Sequence, residues 1–476
     1  MIKTISLICI LIFNLTLFAQ LEKPPTDPLF TSAYDKYQQK FYKESYEDYT
    51  LYLRKVPTDK VALYNRGLCS YGLTDYKTAI RDFKESIDLG RRTAESLYML
   101  GLSKYCIKDY KEAIVDFNSC LDLKPTYHPA LAYKGASYNN LGDYTEGLKF
   151  LNTSYVIDQN YEPTFFNRAI SKYYLKDYKG SFEDCENALT LIDNIETHFW
   201  KGLNLIYLKK YKDALYEYDL VIAKDNKHSR AYYNRGLAYY DMGEYPKAIS
   251  DNSKCIEIDP YYTVAYYNRA LSYFYMQNYS KAETDFNSCI VMGLADYQSY
   301  CYRGANYYLQ KKDELALADL NKAIELNKNY ETSYYYRAFL KYANQDDKGC
   351  IEDCNKSLAI EKKHDVYYTR GIAKYGLQDY NGAIEDFNES LKIKKDYFLA
   401  ILERGITYYT MEKDELAMTD LNTAINLNDK SGRAYHYRGK LKKLKNDLPG
   451  SCDDLKIAQK LGYTWATAEI LKNGCK

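Results

Sequence analysis

Residues 229–262 read SRAYYNRGLAYYDMGEYPKAISDNSKCIEIDPYY. Ala231, Tyr232, Leu237, Tyr239 and Tyr240 fall at helical spacing in the first half. Ala248, Ile249, Cys255, Ile256 and Ile258 do so in the second. Between them, Met242-Gly243-Glu244-Tyr245-Pro246 carries turn chemistry, and Asp259-Pro260 closes the stretch. The pattern predicts a helix A, a tight turn, a helix B and a short link.

The same block recurs along the chain. Its mark is an Arg-Gly or Arg-Ala step, as at Arg66-Gly67, Arg168-Ala169, Arg303-Gly304 and Arg438-Gly439. From Gly67 to Gly439 the small residues are spaced 34 apart, or 33 in two places. So constant a period means stacked helix pairs, not a globular enzyme core. Placing the small residue at position 8 numbers the repeats from 1 (Ala33) to 13 (Gly439). The array then spans residues 26–465, with a C-terminal cap at 466–476.

Prolines test the phase. Pro57, Pro125 and Pro260 fall at position 32, past helix B. Pro129 and Pro163 fall in the first turn of helix A, and Pro246 and Pro449 in the first turn of helix B. None interrupts a helix interior, where one costs about 3 kcal/mol. Position 8 is Gly in nine repeats although Gly inside a helix costs about 1 kcal/mol. Position 20 is also small, as at Ala79, Ala113 and Ala383, which predicts close packing between positions 8 and 20. Repeat 4, with Gly147 at position 20 and Leu151 at 24, is expected to be the least regular unit.

These residues resemble the tetratricopeptide repeat family. Its pattern of a small residue at 8, Ala at 20, an aromatic at 24 and Pro at 32 is met by Gly101, Ala113, Phe117 and Pro125. The resemblance implies an all-α, right-handed superhelical solenoid of about thirteen helix-turn-helix units. It also implies a protein- or peptide-binding scaffold, like exported members of the family from Gram-negative bacteria.

Position 7 is usually Arg and position 23 is usually acidic, and the two lie equally far from the turn. An ion-pair ladder is expected from Arg66, Asp82, Arg235, Asp251, Arg269, Asp285, Arg303, Asp319, Arg370, Asp386, Arg404 and Asp420. Repeat 4 departs at both places, with Lys134 and Phe150. The ladder reads as a register device.

In the family the concave surface is lined by helix A positions 2, 5, 9, 12 and 13. Here positions 5 and 12 supply a phenol stripe of Tyr64, Tyr71, Tyr98, Tyr105, Tyr233, Tyr240, Tyr267, Tyr308, Tyr335, Tyr342, Tyr368, Tyr375 and Tyr409. Tyr gives contact area and a hydrogen-bonding tip at low entropy cost, which suits peptide recognition. Stacking on sugar rings is the rival use of the same groove, and packing between adjacent A helices is the structural alternative. The family's carboxylate clamp lacks its Lys and Asn partners here. Arg433, His436, Lys440 and Lys443 in the last repeat form a candidate patch for an acidic partner segment, or a solvated capping face.

Lys plus Arg is 65 and Asp plus Glu is 64, so no positive field invites nucleic acid. The five His have no metal spacing, and no phosphate loop, nucleophile elbow or dinucleotide fingerprint stands out. No cofactor, metal or catalytic group is expected, and a hydrolase with an unrecognised site is the remote alternative. Lys3, the apolar run Ile5 to Phe18 and Ala19 before Gln20 read as a signal peptide over residues 1–19. A Pro-rich linker follows at 20–28, and no other apolar stretch is long enough to span a membrane. The expected location is the periplasm, or the extracellular or outer surface of a Gram-negative bacterium. In that setting Cys452 and Cys475 are a candidate disulfide, and the other mature cysteines read as core thiols.

Overall fold

The computed structural model describes residues 27–475. The signal-peptide stretch, and the linker up to residue 26, lie outside the described residues. Among the described residues the chain forms twenty-seven α-helices and no strand. They alternate as thirteen A and thirteen B helices, followed by a final short helix, Trp465–Lys472.

The chain divides after Glu244 into two units. The first holds six complete hairpins, from Pro28–Gln38 with Tyr42–Lys55 to Ile195–Tyr207 with Tyr211–Lys224, and then Ser229–Asp241. The second begins with Tyr245–Ile258. It continues through six hairpins, from Thr263–Tyr275 with Tyr279–Val291 to Gly432–Leu444 with Leu448–Lys460, and ends on the short helix. Within each unit every helix packs on the next, and neighbouring A helices also meet.

The A–B turn is built by a backbone feature that the periodicity does not announce. Position 15 is left-handed in every repeat, yet only Gly142 and Gly243 are glycines. The other eleven, among them Lys40, Thr74, Lys108, Lys311, Gln378 and Asn446, hold φ between +55° and +67°. In repeat 2 the Thr74 N–H donates to the Tyr71 carbonyl (3.0 Å) and the Asp75 N–H to the Ser70 carbonyl (2.9 Å). These are the two bonds of a Schellman stop, and they satisfy carbonyls that helix A leaves open. Position 16 then caps helix B: Asp177, Asp346, Asp379 and Asp447 accept the N–H three residues on, at 2.9 to 3.0 Å. One residue ends helix A and the next starts helix B, which keeps the turn short.

Position 24 is the centre of each hairpin. Tyr49, Phe83, Phe117, Tyr218, Phe286 and Phe387 all occupy it, and all are fully buried. Each contributes roughly 1.5–3 kcal/mol of burial relative to an exposed ring. This ring also explains position 8. A Cβ on Gly67, Gly202 or Gly371 would lie 2.7 Å from Phe83, Tyr218 or Phe387. The contact with position 20 inferred from sequence is secondary, the Ala113 carbonyl standing 3.2 Å from a Cβ on Gly101.

Arg and carboxylate meet as bidentate pairs within eight of the hairpins. Arg66–Asp82, Arg269–Asp285, Arg303–Asp319, Arg370–Asp386 and Arg404–Asp420 each make two N–H···O bonds of 2.5 to 2.9 Å. Arg168–Asp184, Arg337–Asp353 and Arg438–Asp454 do the same. Arg235 and Asp251 fall in different units. Within its own unit, Arg235 donates to Asp219 at 2.6 Å.

The guanidinium has a third bond. Arg303, Arg337, Arg404 and Arg438 each donate Nη1 to an Asn at position 25 of the preceding repeat, at 2.5 to 2.8 Å. The ladder therefore joins neighbouring hairpins as well as the two helices of one. In repeat 3, where Leu100 replaces Arg, Lys104 at position 11 takes over and pairs with Asp116 at 2.7 Å. In repeat 6, His198 stands between Glu217 (2.6 Å) and Asp193 (2.8 Å), one ring nitrogen to each.

Repeat 4 corrects an expectation. It is a regular hairpin, His128–Leu141 with Tyr144–Ile157. Lys134 places its ammonium 3.6 Å from the Phe150 ring centre, a cation–π contact where other repeats have an ion pair. Gly147 is required there, since a Cβ would lie 2.4 Å from the Asn139 side-chain oxygen.

Candidate partner-binding groove

Helix A has two aromatic faces. Position 5 leans on the position-24 ring of its own hairpin, as in Tyr64–Phe83 (5.5 Å) and Tyr368–Phe387 (6.2 Å). Position 12 packs across the turn on position 17, as in Tyr71–Tyr76 (5.3 Å), Tyr105–Tyr110 (5.4 Å) and Tyr375–Tyr380 (5.4 Å). One edge of each of these rings is thus structural. What differs is the other edge.

In repeats 2 and 3 that edge is closed. Tyr64, Tyr71, Tyr98 and Tyr105 are at most 5% exposed. Tyr98 meets Tyr127 and Tyr133 at 5.3 and 6.2 Å, and Tyr105 meets Tyr133 at 5.4 Å. These four belong to the core and are removed from the binding stripe. Tyr233 and Tyr240, in the last helix of the first unit, are half-buried.

In the second unit the stripe is open. Tyr267, Tyr308, Tyr335, Tyr368, Tyr375 and Tyr409 are half-buried, and Tyr342 is 38% exposed. Charged groups accompany them. Asp365, at position 2 of repeat 11, lies beside the phenols of Tyr335, Tyr336 and Tyr397. Burial, then this carboxylate, push the Tyr335 phenol well above its ordinary value, and the same two causes raise Tyr397. Glu403, at position 6 of repeat 12, pairs with both terminal nitrogens of Arg433. Burial raises the Glu403 carboxyl even so, with Arg433 offsetting only part. Neither acid stood out in the sequence. Position 2 also carries Asp27, Glu95 and Glu196, so Asp365 gave no signal, whereas Glu403 is alone as an acid at position 6.

The basic patch is smaller than its sequence suggests. His436 is buried, and burial, then Lys440, lower its pKa. Arg433 is engaged by Glu403. Lys443 donates to Asn473. Lys440 keeps its ammonium between the Tyr409 and Tyr437 rings, 5.4 and 5.8 Å from their centres. Cys452 and Cys475 are joined by a disulfide that ties the final helix to helix B of repeat 13. The remaining cysteines of the described residues are free thiols. Among the described residues no cluster of His, Cys, Asp and Glu is placed to hold a metal ion. None of their helices is long and apolar enough to cross a membrane.

Tetratricopeptide repeat family models match at residues 94–127, 229–262, 264–290 and 364–397. No curated protein sequence matches. Among solved structures, the Cut9–Hcn1 hetero-tetramer of the APC/C is similar at TM-score 0.50 and 14% identity, over 87% of this chain and 95% of that one. A tetratricopeptide repeat protein from Parabacteroides merdae is 20% identical over 53% of this chain and 97% of its own, at TM-score 0.41. Yeast Tom70 is 15% identical over 87% and 94%, at TM-score 0.38. At such identities the likeness concerns the fold alone. The matched units and the recurring hairpin geometry make this chain a tetratricopeptide-repeat protein.

Proposed function

We propose that the chain is an exported, non-enzymatic scaffold that binds a protein or peptide partner along the groove of its second unit. The observation that carries the reading is the division of the phenol stripe. The stripe is core at Tyr64, Tyr71, Tyr98 and Tyr105 and partly open at its members in the second unit, where Tyr342, Tyr368, Tyr375 and Tyr409 accompany Asp365 and Lys440. Half-buried rings held by structural neighbours present rigid surface, so little side-chain freedom is lost on binding. The Lys3-led apolar run supports export. The Cys452–Cys475 bond fits the oxidising compartment that export implies.

The test is capture from a cell-envelope extract of the native host, with a glycan array run in parallel. The reading requires a proteinaceous partner that Tyr342→Ala with Tyr375→Ala releases. It also requires that Leu416→Ala, at a helix B residue 50% exposed, leaves the partner bound. Glycan binding lost in the Tyr double variant, with no protein captured, would replace the peptide reading with the carbohydrate one.

A further inference from the structure

The charges of the second unit's groove are not scattered. Its helix A positions 2, 5, 6, 9, 12 and 13 carry five ionisable acids and bases besides Tyr, His and Cys: Asp365, Glu403, Arg433, Lys440 and Lys443. Glu403 and Arg433 satisfy one another. Among the described residues, Asp365 has no cation within ion-pair distance. Its carboxylate accepts the Val366 N–H at 2.9 Å and otherwise faces the phenols of Tyr335, Tyr336 and Tyr397. Lys440 and Lys443 have no carboxylate of the described residues within that distance. Both Asp365 and Lys440 are partly open to solvent. An uncompensated anion in repeat 11 and uncompensated cations in repeat 13 therefore bracket a floor that carries Leu399, Tyr409 and the mutually satisfied Glu403–Arg433 pair.

We infer that this groove selects an extended peptide with a basic side chain near one end and an acidic side chain near the other, the basic one seated on Asp365 and the acidic one on Lys440. The inference rests on the proposal that the groove binds peptide and adds the partner's charge order. The basic group would gain the Asp365 carboxylate and the faces of Tyr335 and Tyr397, a combination that favours Lys or Arg over a neutral side chain. The acidic group would gain the Lys440 ammonium, which the Tyr409 and Tyr437 rings already hold in place. Two steps between neighbouring A helices at about 8–10 Å each, with seven residues of offset along the helix, separate the two sites by roughly 20 Å. An extended chain at about 3.3 Å per residue covers that in about six residues. Peptide direction is left open by the side chains, since only their charge order is read.

The experiment uses the mature chain and synthetic decapeptides with Tyr and Ala in the middle. One set carries Lys and Glu six residues apart, in both orders. Others replace Lys by Gln, Glu by Gln, or both, and a further set places the charges two residues apart. Fluorescence anisotropy at low salt reads the affinities. In either order the six-residue peptide should bind about tenfold more tightly than the doubly neutral peptide, with weaker binding as salt rises. Asp365→Asn should abolish the preference for Lys alone, and Lys440→Gln the preference for Glu alone. Lys440→Glu should convert the second preference to Lys, with circular dichroism confirming that each variant is folded. Neutral peptides that bind as well as charged ones would overturn the inference while leaving the groove intact as a peptide site. Equal loss of both preferences in either single variant would also overturn it. If no peptide binds and capture of a protein partner also fails, the inference falls together with the reading beneath it.

Discussion

Arg404 offers a direct way to separate what holds a hairpin from what holds two hairpins together. Its Nε and Nη2 donate to the two oxygens of Asp420, both at 2.8 Å, and Nη1 donates to Asn388 of the preceding repeat at 2.6 Å. The Asp420 side chain is 8% exposed and that of Arg404 23%. An exposed pair would be worth about 0–1 kcal/mol. Stripping a partner from a fully buried pair costs about 3–5 kcal/mol. This rung lies between, so Arg404→Met, which keeps the stem packing, should cost roughly 2–3 kcal/mol. Asp420→Asn keeps one acceptor and should cost roughly 1–2 kcal/mol. The double variant should cost little more than Arg404→Met alone, a coupling of about 1–2 kcal/mol.

Asn388→Ala removes one bond to a charged donor and should cost about 1 kcal/mol. That loss falls on the interface between repeats 11 and 12. In a nearest-neighbour array it should therefore broaden the transition as well as shift it. The assay is urea unfolding followed by far-UV circular dichroism. If the Arg404 and Asp420 losses add to within about 0.3 kcal/mol, the rung carries no coupling and the register role is refuted.

Other outcomes follow from the same geometry. Gly371→Ala should destabilise by about 1–3 kcal/mol despite alanine's better helix propensity, because its Cβ would meet Phe387. Adding Phe387→Cys, the pairing that Ala338 and Cys354 use, should recover part of the loss in urea melts. Gln378→Gly, at φ +64°, should stabilise by roughly 0.5 kcal/mol, the relief of a left-handed backbone partly offset by greater freedom in the unfolded chain. A destabilised variant would mean that the Gln378 side chain contributes something beyond its backbone. His198 gives a pH dependence. Its hydrogen bond to Glu217, and then that to Asp193, hold its pKa above the ordinary 6.5 against the opposing effect of burial. The charged form is thus favoured in the fold. The extra stability is full below about pH 6.5 and is lost as pH rises through the raised folded value. His198→Gln should flatten that part of the stability–pH curve, and an unchanged curve would remove the imidazolium reading.

The fold was legible because each repeat states the same hairpin again, so errors in one unit are corrected by the next. The pairing of the position-7 arginine with the position-23 carboxylate was legible for the same reason. Position 15 was not, because Lys, Gln, Glu and Thr carry no left-handed signature, and only Gly142, Gly243 and Asn446 display one. The position-25 amides were missed because their partner lies in a different repeat, and a single-repeat reading cannot see it. The division of the Tyr stripe into core and open rings was hidden for a related reason. Tyr98 and Tyr368 share position 5 and both lean on a position-24 Phe. Yet Tyr98 is also closed in by the Tyr127 and Tyr133 rings, and Tyr368 is not fully enclosed. Burial is set by neighbours across repeats, whereas periodicity reports the local helix face alone.

Whether a partner docks on the groove of the second unit can be measured directly by site-specific photocross-linking in the native host. A photoreactive residue replaces Tyr342 in one strain and the exposed helix B residue Leu416 in another. Docking in the groove yields a discrete protein adduct at 342 that is absent at 416. An adduct at 416 and none at 342 would contradict it.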